Sequence, residues 1–265
     1  TYVDVERAHV VWNVFAAPEF STNPLDWCYP IAGCVAYRGY FSEQAAENFA
    51  NKLRGQGFDV YTGGVDAYST LGWFDDSLLS TVLSRAPYQL AGLIFHELSH
   101  QIVYLPGDTT FNESFATAVE REGLRRWLQV NNEPEKMVIA EIDRGRQQDF
   151  VELITRFRDE FDSLYQEDLC TVMMRSKKQQ LQVELLSEYK KLKQQWDGYA
   201  GYDGWFSRPL NNAQLSTVSS YNDLVPFFLE LLQASNGDLN KFYEEVSKLA
   251  ELEKSELDEV TADYR

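Results

Sequence analysis

Residues 96–120 read HELSHQIVYLPGDTTFNESFATAVE, and this stretch decides how the rest of the chain is read. On a helix, His96 and His100 stand four positions apart, so both imidazoles project from one face. Two nitrogens so placed can hold one Zn2+ ion at about 2.0–2.1 Å. Glu97 follows the first of them and is placed to act as general base on a water at the metal, as the HExxH pattern requires. The competing reading is a chance string on a surface helix. Two features weigh against it. The chain has only 3 histidines, and two of them are here. The preceding Leu93, Ile94 and Phe95 are apolar and predict a buried helix, on which two histidines and a glutamate need partners.

A catalytic zinc site takes a third protein ligand and keeps one position open. No HExxHxxGxxH continuation follows, and the remaining histidine, His9, is distant in sequence and expected to be an ordinary packing or surface residue. The next helix supplies a better candidate. Pro106 and Gly107 can turn the chain, so that an antiparallel helix carries Glu113 opposite His96 and His100. His2Glu is a known catalytic ligand set. Glu120 lies two turns beyond Glu113 on the same face; it is expected to orient a ligand histidine, to bind a substrate amine, or to stand as a solvated carboxylate. Thr117 shares that face and can support a ligand through a hydrogen bond.

Outward from this core, the helix that carries the histidines is expected to start at Pro87 and run to Pro106–Gly107, and the next from about Phe111 to Val130. Residues 135–197 read as a helical hairpin like a short antiparallel coiled coil, with Phe150, Leu153, Ile154, Phe157, Phe161 and Leu164 answered by Leu181, Leu185, Tyr189, Leu192 and Trp196. Residues 198–209 read as an ordered loop, and two helices are expected near 222–234 and 238–253. On the N-terminal side, the first thirty residues read as irregular, broken by Pro18, Pro24 and Pro30. Gly33–Tyr40 reads as a strand. Ser42 caps a helix to about Leu53. Phe58–Tyr61 and Val65–Thr70 read as two strands turned at Gly63–Gly64. The expected class is α+β: a mainly helical single domain over 1–265, with a small N-terminal sheet and the hairpin 135–197 protruding.

A net charge of -17 opposes nucleic acid and anionic lipid headgroups as partners and suits metal cations or basic peptides. No apolar run reaches the roughly 18–20 residues of a membrane span, and residues 1–265 are not expected to include a signal peptide. Of the 3 cysteines, Cys28 and Cys34 can form a disulfide or remain as two buried thiols.

The stretch HELSHQIVYLPGDTTFNESFATAVE, with WCYPIAGCVAYRGYF and GVDAYSTLGWF upstream and RPLNNAQL and 221–232 downstream, resembles the bacterial putative aminopeptidase family, HExxH proteins classed with the gluzincins. The resemblance covers most of the chain. It implies a zincin-like core and a zinc peptidase with aminopeptidase activity. The Asn112–Glu113 pair is similar to the NExxA element in which the glutamate is the third zinc ligand. Thr117 stands where thermolysin-like enzymes have an aspartate, and no GAMEN-type amine-binding segment is present. The resemblance also implies an envelope or periplasmic location, with a lipid anchor on a segment ahead of Thr1.

Of the fifteen tyrosines, Tyr221 is the first candidate to donate to the oxyanion, ahead of Tyr68 and Tyr104. Residues 64–70 can pair with a peptide as an edge strand, where Asp66 would meet the substrate's α-amine or simply occupy a turn. Arg38 is expected to bind a carboxylate or pair with an acidic neighbour. The expected activity is a zinc exopeptidase acting on peptide N-termini. The alternatives are an endopeptidase on the same site, or a non-catalytic envelope protein that keeps zinc structurally.

Overall fold

The computed structural model describes residues 2–29, 33–66, 78–83, 85–218 and 223–264. In chain order these form β1 (Tyr2–Val3), β2 (Val11–Ala17), β3 (Trp27–Tyr29), β4 (Gly33–Val35), β5 (Arg38–Tyr40), α1 (Glu43–Gly55), β6 (Asp59–Val65), β7 (Leu78–Leu79), α2 (Pro87–Ser99), α3 (Thr109–Val130), α4 (Glu135–Tyr165), α5 (Thr171–Gln195), α6 (Asp203–Phe206), α7 (Asn212–Leu215), α8 (Val225–Ala234), α9 (Leu239–Ala250) and α10 (Lys254–Val260). The expected balance holds: helices dominate, and the strands are few and short. Among the described residues no helix is long and apolar enough to cross a membrane.

The residues group into two compact units, one of 1–6, 68–142 and 220–265, the other of 7–67 and 143–219. In the first unit, α3 is the centre. Its buried face carries Phe111, Phe115, Ala118 and Val119, which pack with Phe228 of α8, Phe242 and Val246 of α9 and Leu257 of α10. Phe115 meets the rings of Phe228, Phe242 and Tyr243 at 5.9, 5.8 and 6.1 Å. A smaller cluster joins Leu124 and Leu128 of α3 to Ala140 of α4. The strand pair β1–β7 is parallel and two residues long.

The second unit holds an antiparallel sheet in the order β5-β2-β6, with α1 packed on it. Ser42 caps α1 as expected, its side chain accepting from the Ala45 N–H. The hairpin helices pack through Phe150, Ile154, Phe157 and Phe161 of α4 and Leu185 and Tyr189 of α5, joined by Trp196, Phe206 and Leu215. The loop expected at 198–209 contains α6. Cys28 and Cys34 are cross-strand partners in β3–β4 and form a disulfide.

Four local expectations are corrected. The first thirty residues are not irregular: Val11–Ala17 is the central strand, because the run VWNVFAA is apolar enough to be covered on both faces, and six of its seven residues are buried. Gly63–Gly64 does not turn the chain. Both lie within β6, paired with Asn13 and Trp12; Gly64 is needed because a β-carbon there would overlap the His9 ring. Residues 67–70, the rest of the expected second strand, lie outside the described residues. Gly33–Tyr40 is two short strands rather than one. Finally, α2 stops at Ser99 and not at Pro106–Gly107. The chain leaves it through tight turns, with Ile102 N–H donating to Ser99 O at 2.9 Å.

Candidate metal centre

Three side chains converge, from α2, its C-cap residue and α3. His96 Nε2 lies 3.2 Å from Glu113 Oε2, and His100 Nε2 lies 3.8 Å from Glu113 Oε1. The two imidazoles are edge-to-face, with ring centres 5.1 Å apart. The i,i+4 spacing from His96 of α2 to His100, which caps the end of that helix, sets the histidine pair, and the antiparallel return of α3 supplies the carboxylate, each of whose oxygens faces one ring.

Short-range interactions fix that return. Asp108 caps α3 by accepting from the Phe111 N–H at 2.9 Å. Asn112 turns its side chain back onto the connection, accepting from Leu105 N–H at 2.7 Å and donating to Leu105 O at 2.8 Å. The helices approach closely at Gly123, where a β-carbon would fall 2.7 Å from Phe95 Cγ. Behind the ligand face, Ser114 Oγ accepts from Leu224 N–H at 3.2 Å. The opposite side of α2 is open, contrary to the expectation of a buried helix: Ile94 and Leu98 are exposed. Apolar residues at 93–95 signal burial, but among the described residues it is the face toward α3 that is covered.

The electrostatics follow from this packing. Burial opposes a charge on His96, but the Glu113 and Glu120 carboxylates outweigh it and lift its pKa to about 9. Burial pushes His100 down, Glu113 opposes that, and the charge on His96 adds to it. The hydrogen bond from His96 holds the Glu113 carboxyl below the usual range against the effect of burial. His100 itself is buried, and its Nδ1 has no hydrogen-bond partner among the described residues.

These residues fit a divalent cation. One donor atom from each of His96, His100 and Glu113 can be chosen so that all lie within 4.8 Å of one another. Ligands at about 2.0–2.1 Å around a tetrahedral zinc stand roughly 3.4 Å apart, close to the 3.2 and 3.8 Å separations here. The 3.8 Å gap is too long for a hydrogen bond.

The other expected residues fall as follows. Glu97 is half-buried beside His96 on α2, and Thr117 is half-buried one turn beyond Glu113 on α3. Glu120 Oε2 lies 3.3 Å from His96 Nδ1. Asp66 follows β6 in the other compact unit and accepts from His9 Nδ1 at 2.6 Å. Arg38 stacks over the rings of Tyr40 and Phe49. Tyr104 is exposed. Tyr68 and Tyr221 lie outside the described residues. The glycines at 92 and 123 and the Asn112 clamp were not anticipated. An isolated glycine inside a helical pattern is the signal that points to the first two.

A family model described as putative aminopeptidase matches residues 1–260. The chain belongs to the putative aminopeptidase family. No protein of curated function and no solved structure matches it. The family's description names an aminopeptidase and thereby a peptidase, in keeping with the resemblance read from the HExxH stretch.

Proposed function

We propose that the chain is a zinc-dependent aminopeptidase of zincin type, with His96, His100 and Glu113 as the metal ligands and Glu97 as the general base. The observation that carries this reading is the Glu113 carboxylate facing both imidazoles at 3.2 and 3.8 Å, with a glutamate directly after the first histidine. Zinc bound there supplies Lewis acidity and brings the pKa of water toward about 7. Glu97 takes the proton of the attacking water and returns it to the departing amine as the peptide C–N bond breaks. With the cation bound, displacing the proton that His96 otherwise carries, His96 and His100 would offer neutral nitrogens, and Glu113 brings the negative charge that favours a cation over a neutral ligand in a partly buried site. Tyr221 is our candidate to donate a hydrogen bond to the developing oxyanion.

Metal analysis of the purified protein, combined with a screen of aminoacyl and peptide substrates, tests the reading. Peptides with a free α-amine are expected to be cleaved and their N-blocked counterparts spared; cleavage of the blocked peptides would make the enzyme an endopeptidase. Glu97→Gln should retain stoichiometric zinc and lose hydrolysis by several orders of magnitude. Unchanged turnover in that variant removes Glu97 from the mechanism, and a protein that holds zinc but cleaves nothing leaves a structural site.

A further inference from the structure

His96 is flanked by two carboxylates. Glu113 faces its Nε2, and Glu120 faces its Nδ1 at 3.3 Å. Among the described residues His100 has no such support behind it, since its buried Nδ1 meets no hydrogen-bond partner there. To reach His96, the Glu120 side chain crosses α2 one turn ahead of it, at Gly92. A β-carbon at position 92 would sit 3.3 Å from Glu120 Oε1 and 3.4 Å from Glu120 Cγ, tighter than ordinary van der Waals contact. Gly92 lies in the interior of α2, where glycine disfavours the helix and alanine would favour it. It caps no helix end. The space it leaves is filled by Glu120.

We propose that Gly92 and Glu120 act together as the positioning device for His96: the glycine keeps a channel open across α2, and the carboxylate holds the Nδ1–H so that the Nε2 lone pair is presented to the metal. This rests on the zinc reading of the site and adds to it a specific division of labour. A carboxylate that accepts from the far nitrogen of a ligand imidazole fixes both tautomer and ring orientation.

The test measures Zn2+ affinity by competition with a chromophoric chelator, together with the Tm of the metal-free protein. Glu120→Ala should weaken zinc binding by about 10–100-fold. Glu120→Gln, whose amide oxygen still accepts from Nδ1–H, should recover part of that loss. Gly92→Ala should move the two readouts in opposite directions: Tm of the metal-free protein rises, because alanine is the better helix former, while zinc affinity falls, because Glu120 is pushed off His96. A purely structural role for Gly92 would not separate them. Wild-type affinity in both Glu120→Ala and Gly92→Ala, with affinity lost in Glu113→Gln, overturns the positioning role and leaves the zinc site standing. A joint fall of Tm and affinity in Gly92→Ala marks damaged helix packing and also overturns it. A wild-type chain that takes up no zinc removes both readings. If Glu120→Ala raises KM and leaves zinc affinity untouched, Glu120 serves the substrate's amine instead.

Discussion

Asn112 and Leu105 are joined by a reciprocal pair of hydrogen bonds, 2.7 Å from Leu105 N–H to Asn112 Oδ1 and 2.8 Å from Asn112 Nδ2 to Leu105 O. Asn112 is buried and immediately precedes Glu113. The pair therefore fixes the connection between α2 and α3 at the residue next to the candidate ligand. Asn112→Ala leaves both Leu105 backbone groups without their partners. The expected loss of stability is about 1–3 kcal/mol: an unsatisfied group costs roughly 1–3 kcal/mol when fully buried, and Leu105 is only half-buried, so water can take up part of the lost bonding. Urea unfolding reads the loss. Asn112→Asp should be no rescue, since its carboxylate keeps the acceptor for Leu105 N–H but sets a second oxygen against Leu105 O. A midpoint within error of wild type for Asn112→Ala would show that the clamp contributes nothing.

Gly123 of α3 lies directly against the Phe95 ring of α2. With the added β-carbon only 2.7 Å from Phe95 Cγ, Gly123→Ala forces the ring or the helix to shift. Overpacking of this kind costs about 1–3 kcal/mol, against roughly 1 kcal/mol gained from helix propensity. The net expectation is a modest loss of stability, relieved in the double variant Gly123→Ala/Phe95→Leu. A gain in Tm for the single variant would mean that Phe95 rotates away freely.

The candidate ligand set is legible because helix geometry is local. His96 and His100 follow from an i,i+4 spacing with Glu97 directly after the first, and Glu113 follows once Pro106–Gly107 are read as a reversal; the structure places the three ligand candidates together. What escaped the sequence depends on partners far along the chain. Gly64 carries a turn signal locally, yet its glycine is explained by His9, which lies over it. Val11–Ala17 lies in a region punctuated by prolines, and only pairing with β5 and β6 makes it a central strand. The apolar run 93–95 gave no hint that Ile94 faces outward, because periodicity locates a face but does not say what covers it.

Acid should act on the stability of the first unit through Glu122. The Arg125 side chain, with Arg126 adding to it, holds the Glu122 carboxyl below its ordinary 4.5 despite burial. Arg126 also donates to the Gly237 carbonyl between α8 and α9, so the carboxylate helps tie α3 to that turn. A depressed carboxyl stabilises the fold fully above the unfolded-state pKa, and the contribution is lost as pH falls through the folded-state value. Glu122→Gln should therefore be less stable than wild type at pH 7, with the difference closing below about pH 4.5. A difference in urea midpoint that persists unchanged at pH 3 would assign the effect to packing rather than charge.

The Cys28–Cys34 disulfide leaves Cys170 as the free cysteine, and it is exposed. Maleimide labelling followed by mass spectrometry should add one label per unreduced chain and three after reduction and unfolding. Three labels before reduction would place both β3 and β4 cysteines in the thiol form. The short separation of the pair makes the expected stabilisation small, since the entropic benefit of a cross-link grows with the loop that it closes.

Lys178 of α5 is buried and donates to Asp59 Oδ2 at 2.6 Å and to Glu19 O at 2.7 Å. Asp59 also accepts from Asn212 N–H at 2.9 Å, and the Asn212 side chain in turn donates to Pro18 O and Glu19 O. One ion pair thus joins β6, α5, α7 and the end of β2 within the second unit. Lys178→Met keeps the length of the side chain and removes the charge, stranding the Asp59 carboxylate with a single backbone donor of this group. Breaking one side of a buried pair costs about 3–5 kcal/mol, and Lys178→Met should lose an amount of that order. Lys178→Met/Asp59→Asn removes the stranded charge as well and should recover part of the loss, because a neutral amide is cheaper to bury than a lone carboxylate. If the double variant is as unstable as the sum of the two single variants, the two residues act independently and the ion pair is not what secures this corner of the fold.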